Sequence, residues 1–421
     1  MGRLLGVLVL GGGAAILAQT PGDEAALLER VFSRAEANLS RLPDYICLQR
    51  VERFRRESPR EEFQPVDVIN VEVGLAGDRE IFAWPDSSRF EEEEISEMVR
   101  HGTIGNGSFG LFARNLLVSR AADFTFRGEE DLDGVVSLRY DFEVPLERSS
   151  YAIRVPPWQE RVAYHGSIWA AADSLDVLQI AVVADEIPEA LRIVEAHTQL
   201  RYSRASIGGA SFLLPRSADL LITGADGDAS RNLTSFGSCR QYVGESSISF
   251  EGAAGDAEHA AVAEAAETAS ELPPRAVLDL DLSEPINPRL AAVGDPVRAL
   301  LAKPLRVGNT VLAPRGAAVL GRLVRLDHYA QPIGHYVIGL EFHTIDVGGR
   351  LIRFTATMRH VSGPPALFKP SRRIDPSFAR KRKGFLEVLV NENQPGLGIL
   401  HWKAGKPLIG NLRMAWEVEG R

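Results

Sequence analysis

Hydrophobic and polar positions along this chain recur with two periods, and the change from one to the other marks where its architecture changes. From Glu24 to Leu42 the apolar residues Leu27, Leu28, Val31, Ala35 and Leu39 fall three and four apart, which predicts an amphipathic helix. Pro43 stops it, since the residue before a proline is turned away from helical geometry. Beyond that point the period is two. Val194, Ala196, Thr198, Leu200 and Tyr202 alternate with Glu195, His197, Gln199 and Arg201, the pattern of a strand with one face in a core and the other in water. Similar runs near Val66 to Val73, Val135 to Phe142, Arg161 to Trp169, Val177 to Ala184, Ser211 to Ile222 and Leu233 to Val243 predict further strands. Asp173-Ser174-Leu175-Asp176 supplies turn chemistry between two of them. The expected object is one long, strongly curved antiparallel sheet, with helices at its start and near Phe109 to Leu117.

The second half also reads as strands. Leu278, Leu280 and Leu282 alternate with Asp279 and Asp281, and Ile352, Phe354, Ala356 and Met358 with Arg353, Thr355, Thr357 and Arg359. Gly and Pro punctuate them at Gly294-Asp295-Pro296, Pro314-Arg315-Gly316 and Gly348-Gly349. Short strands with frequent turns predict a small β-barrel or sandwich. The fold class is therefore mainly β, an α+β first domain followed by that barrel or sandwich.

Between the halves lies an Ala/Glu-rich stretch, Glu251 to Pro274, with only Val262 and Leu272 as large apolar anchors. It reads as a linker, giving a domain at 22–250, a linker at 251–274 and a second domain at 275–421. Charge divides at the same place. From Pro273 onward there are 22 Lys and Arg against 12 Asp and Glu, a net of +10; the totals of 47 and 56 leave 25 against 44 before it, a net of -19. The overall -9 conceals this. Such asymmetry bears on partners and association rather than on fold.

The first residues change the expected compartment. Arg3 precedes an uncharged, mostly apolar run from Leu4 to Leu17, and Ala18 ends it before Gln19, Thr20 and Pro21. That is shorter than the roughly 20 residues of a spanning helix, and it reads as a cleavable export signal over residues 1–18. Cys does not follow Ala18, so the lipid-anchored form of such a signal is not expected, and the chain is placed in the periplasm or outside the cell. In an oxidising compartment the two cysteines, Cys47 and Cys239, are expected to form one disulfide. They lie near the first and last strands of the first domain. A bridge would fasten the two ends of that domain and leave the second free on its linker.

The strand order, with Ile168-Trp169, an Asp-containing turn and the strand Val177 to Ala184, resembles the LolA/LppX-type lipoprotein-sorting carriers over roughly the first 250 residues. The resemblance implies a curved sheet and helices around an apolar cavity. In the second half, Val293-Gly294-Asp295-Pro296-Val297-Arg298-Ala299, Ala313-Pro314-Arg315-Gly316-Ala317 and Gly321-Arg322-Leu323 resemble the small β-barrel of TrbI-type conjugation and secretion proteins. That implies a barrel suited to envelope contacts, without the membrane-crossing insert of channel formers.

Enzymatic signals are weak. Gly105-Asn106-Gly107-Ser108-Phe109-Gly110 satisfies G-x-G-x-x-G, but a dinucleotide site needs a buried strand feeding the glycines, and Glu91 to Glu94 stand upstream instead. His335 and His343 share parity on one strand yet lie about 26 Å apart along it, too far for one metal. His328 and His335 could approach across a hairpin. The basic run Arg372, Arg373, Arg380, Lys381, Arg382 and Lys383 lies among prolines and suits an anionic envelope surface or protein partner; export argues against nucleic acid. The expectation is a non-catalytic exported protein without cofactor or metal: an apolar-ligand or lipid-binding first domain with a basic contact module. A purely structural scaffold and an uncharacterised hydrolase stand as alternatives.

Overall fold

The structure is a computed structural model that describes residues 21–76, 79–85, 95–99, 103–105, 109–155, 157–242, 272–329, 334–368, 395–405 and 408–420. The export signal at 1–18, the basic run Arg372 to Lys383 and nearly all of the linker lie outside them. Helix α1 (Pro21–Leu39) opens the described chain. Twelve strands follow: β1 (Tyr45–Arg56), β2 (Gln64–Ala76), β3 (Arg79–Ala83), β4 (Asp123–Leu132), β5 (Val135–Val144), β6 (Ala152–Val155), β7 (Trp158–Arg161), β8 (Ala163–Ala171), β9 (Val177–Asp185), β10 (Ile193–Ile207), β11 (Ala210–Gly224) and β12 (Ala229–Gln241). Two short helices, α2 (Ile95–Met98) and α3 (Leu111–Leu117), sit between β3 and β4.

Ten of these strands form one antiparallel sheet in the order β3-β2-β1-β12-β11-β10-β9-β8-β5-β4, with β6 and β7 as a separate hairpin. The sheet is curved into a half-barrel. Register shifts interrupt its ladders at Ile46/Leu48, Arg53/Phe54, Phe126/Gly128, Trp169/Ala170, Ile193/Glu195 and Arg201/Tyr202, and each such bulge bends a strand and raises its local twist. One of them alters the expected pattern: Val194 is 63% exposed while Ala196, Thr198 and Leu200 are buried. The shift between Ile193 and Glu195 takes Val194 out of the alternation.

Cys47 and Cys239 are disulfide-bonded. The bridge joins the first and last strands of this half in chain order, as expected. β1 and β12 are neighbours, third and fourth from one edge of the sheet, and the bond crosses that one ladder at its Ile46/Leu48 irregularity, joining residues 192 apart in sequence.

The second half supplies β13 (Val277–Leu282), β14 (Pro296–Leu301), β15 (Leu305–Val307), β16 (Thr310–Ala313), β17 (Ala318–Tyr329), β18 (His335–Val347), β19 (Arg350–Arg353), β20 (Ala356–Ser362), β21 (Leu367–Phe368), β22 (Gly398–Lys403) and β23 (Arg413–Val418). The order is β20-β23-β13-β14-β17-β18-β22-β21, with β19 also on β18 and β15-β16 as a hairpin. Trp402 and Trp416 are fully buried in it, and Phe342 packs edge-on against Trp416 at 5.2 Å.

The second half is not free on its linker. Asn70 N–H donates to the Val293 carbonyl and Val293 N–H to that of Val68, both at 2.7 Å, a one-residue parallel bridge on the edge of β2 that β3 leaves open. Asn70 Nδ2 also donates to Asp295 Oδ1 at 3.0 Å, and the Arg322 guanidinium lies 5.6 Å from the Trp84 ring centre.

Candidate functional site

Two rows of side chains cross the inner face of the first sheet. Pairing carries one from Tyr140 through Ile168, Ile180, Leu200, Ala218, Thr234 and Val51 to Ile69. The next runs from Phe124 through Phe142, Gly166, Val182, Thr198, Leu220 and Asn232 to Arg53 and Asp67. The first row is almost wholly apolar; the second turns polar at its β1-β2 end. On the outer face, Arg231 grips Asp219 at 2.6 and 2.9 Å and Arg139 and Arg127 share Asp141, as a solvated face should.

Short elements cover the inner face. Val31, Phe32 and Ala35 of α1 and Phe112, Ala113, Leu116 and Leu117 of α3 are buried against it. Phe32 meets Phe124 at 5.2 Å, and Phe112 meets Tyr151 and Tyr164 at 5.3 and 6.3 Å. Phe109, just before α3, lies between Tyr45 and Phe236 at 5.2 and 5.5 Å.

Polar latches hold these covers at their margins. Arg53 donates Nε and Nη2 to Asp67 at 2.7 and 2.6 Å, deep in the face, with both side chains less than a tenth exposed. Its Nη1 reaches the Thr103 carbonyl at 3.4 Å, and Asn232 Nδ2 donates to the same oxygen at 3.0 Å. Segment 103–105 is thereby drawn onto the sheet, and a Cβ at Gly105 would come within 2.8 Å of Leu220. Glu80 on β3 accepts the Phe109 and Gly110 N–H groups at 3.0 and 3.1 Å, which anchors the entry to α3. Burial, with the nearby Glu80 carboxylate, raises the Tyr45 phenol well above its ordinary range. On α1, Asn38 exchanges two hydrogen bonds with the Leu213 main chain, and Arg34 joins Arg204 on Asp176. Burial opposes ionisation of Asp176, but the hydrogen bonds from Arg204 and Arg34 outweigh it and hold the carboxyl below its usual range.

The weak signals set aside in the sequence have these places in the fold. Residues 106–108 of the glycine string lie outside the described residues; Gly110 at its end faces Glu80, a carboxylate where a dinucleotide site would need a phosphate. His328 pairs with Tyr336 and Tyr329 with His335, so His328 and His335 occupy opposite faces of one ladder and do not converge on a metal. His335 lies instead 5.8 Å from His401, ring centre to ring centre. Among the described residues no group of three or more His, Cys, Asp and Glu could hold a metal ion. His165 Nδ1 contacts Asp185 at 2.7 Å on the outer face, both partly exposed. Sequence reasoning missed Arg53, Asp67 and Asn232. Arg53 and Asp67 share strand parity with the buried Val51 and Ile69, so charge at a core-phase position was the available signal.

No family model matches the chain, and no curated protein matches it. Among solved structures it is similar to a LolA superfamily protein from Nitrosomonas europaea, at 10% identity and TM-score 0.27, over 52% of this chain and 96% of that one. It is also similar to a putative outer membrane lipoprotein-sorting protein domain from Vibrio parahaemolyticus, at 10% identity and TM-score 0.28, over 52% and 95%. A third is the lipoprotein LppX of Mycobacterium tuberculosis, at 11% identity and TM-score 0.22, over 52% and 98%.

Proposed function

We propose that this chain is a non-catalytic, exported envelope protein whose first sheet binds an apolar ligand on its inner face, beneath covers that swing away. The observation that carries this reading is the way the face is closed. Five members of a largely apolar row, Tyr140, Ile168, Ile180, Leu200 and Ala218, share one buried cluster with side chains of α1 and α3, and the margins of these covers and of segment 103–105 are held by hydrogen bonds and ion pairs. Releasing a cover exchanges its latches for water, a net change of about 1 kcal/mol per neutral bond and more for a charged one, and exposes apolar side chains of cover and face alike, a cost that a bound apolar ligand offsets. The basic second half, net +10 from Pro273 onward, is the contact module of this reading, directed at an anionic envelope surface or a protein partner.

The test is uptake. Full-length protein is mixed with an environment-sensitive apolar fluorophore and examined by fluorescence and native mass spectrometry. Stoichiometric uptake is expected, with faster entry in Asn232→Ala, which loses one bond to Thr103 without uncovering the charge of Asp67. Absence of uptake by wild type and variant alike would sink the reading. The contact module is checked by sedimentation with anionic vesicles, where binding should fall as salt rises.

A further inference from the structure

Among the described residues, two polar atoms beneath the covers have no hydrogen-bond partner: the hydroxyl oxygens of Tyr140 and Tyr202, both shut off from solvent. Tyr140 is 1% exposed. It begins the apolar row on β5, stacked against Phe126 at 5.1 Å, and Glu24 of α1 is close enough to act on it electrostatically. Tyr202 follows Leu200 by two on β10 and so shares its inward face; it packs against the same cluster and feels Tyr45 and Glu80. A buried hydroxyl ordinarily finds a partner, and a tyrosine in a largely apolar row invites the question of why phenylalanine does not stand there.

Resting on the binding function proposed above, we propose that Tyr140 and Tyr202 are polar stations for the ligand, each donating its O–H to an ester or carboxyl oxygen. The ligand class is then a long-chain acyl ester and not a bare hydrocarbon. β5 and β10 are three strand steps apart, roughly 14 Å at the usual spacing. A ligand touching both stations runs from beneath α1 toward the entry of α3, which suits an extended acyl chain better than a compact ring.

The experiment compares two fluorescent probes on the full chain, 1-dodecylpyrene and the methyl ester of pyrenedodecanoic acid, in wild type, Tyr140→Phe, Tyr202→Phe and the double variant. The ester should bind about 5-fold more weakly for each hydroxyl removed, as expected for one neutral hydrogen bond, while the hydrocarbon is unchanged. Equal weakening of both probes, or of neither, overturns the proposal with the binding function intact. Uptake of neither probe by wild type overturns both. Infrared spectra of the wild-type complex supply a readout that needs no variant: the ester carbonyl band should shift to lower frequency on binding, and an unshifted band counts against the stations.

Discussion

Gly166 occupies a point on the inner face with no room for a methyl group. A Cβ there would lie 1.9 Å from the Ala181 carbonyl oxygen and 2.7 Å from the Phe142 ring, and the oxygen belongs to the paired strand, which cannot step aside alone. Gly166→Ala is therefore expected to lower stability by at least about 2 kcal/mol, near the upper range for overpacking, read as a drop in the urea midpoint. An unchanged midpoint would mean that the ladder between β8 and β9 can open there. Titration makes a second statement at this scale. Burial, followed by nearby positive groups, lowers His343 and His401 from 6.5 to about 4. Their folded values lie below the unfolded one, so the neutral rings stabilise the fold fully above about pH 6.5, and that contribution is lost as pH falls toward 4. Each shift corresponds to about 3 kcal/mol when complete. The second half should lose stability between pH 6.5 and 4, with Trp402 and Trp416 as reporters, and His401→Leu should flatten the dependence. A midpoint constant across that window would contradict both assignments.

At the scale of elements, the strands were the most legible part of this chain. Period two placed β2, β5 and β8 to β12 because one face of each meets a core and the other meets water. It could not show bulges, which are one-residue accidents of pairing, and so it carried Val194 inward where the ladder turns it out. Nor could it show which strands become neighbours. β1 and β12 are separated by most of the domain in sequence and adjacent in the sheet, so the bridge between Cys47 and Cys239 staples a single ladder. The covers were legible as helices, but their latches join residues far apart, as Arg34 does with Asp176 and Arg53 with Thr103, and no local pattern announces such pairs. The α1 latch makes a prediction of its own. Asp176→Asn removes the charge that Arg34 and Arg204 share, and hydrogen exchange should rise along α1 while the sheet's central amides stay protected. Uniform loss of protection would instead mean that α1 and the sheet unfold together.

For the whole molecule, the seam in charge and composition was visible, whereas the joint that spans it was not. A single backbone bridge on β2 has no side-chain periodicity to betray it, and the motif Val293-Gly294-Asp295 read as a turn of the second half alone. In the fold that turn is a plug. Gly294 has φ +98, and a Cβ on it would lie 2.2 Å from the Asn70 carbonyl oxygen and 2.9 Å from the Trp84 ring. Its N–H is meanwhile held by the Leu323 carbonyl of β17 at 2.7 Å. The same residue thus needs a left-handed backbone, close approach to one half and a hydrogen bond to the other, a combination only glycine satisfies without strain. Gly294→Ala should part the halves while leaving each sheet formed. By calorimetry the wild type is expected to unfold with coupled halves in one dominant transition, and the variant in two, with greater cleavage by protease in residues 251–271. Covering the β2 edge also keeps its unpaired groups from recruiting another chain, so the variant should self-associate more readily at high concentration. One transition in both proteins and equal self-association would show that the plug neither couples the halves nor guards the edge.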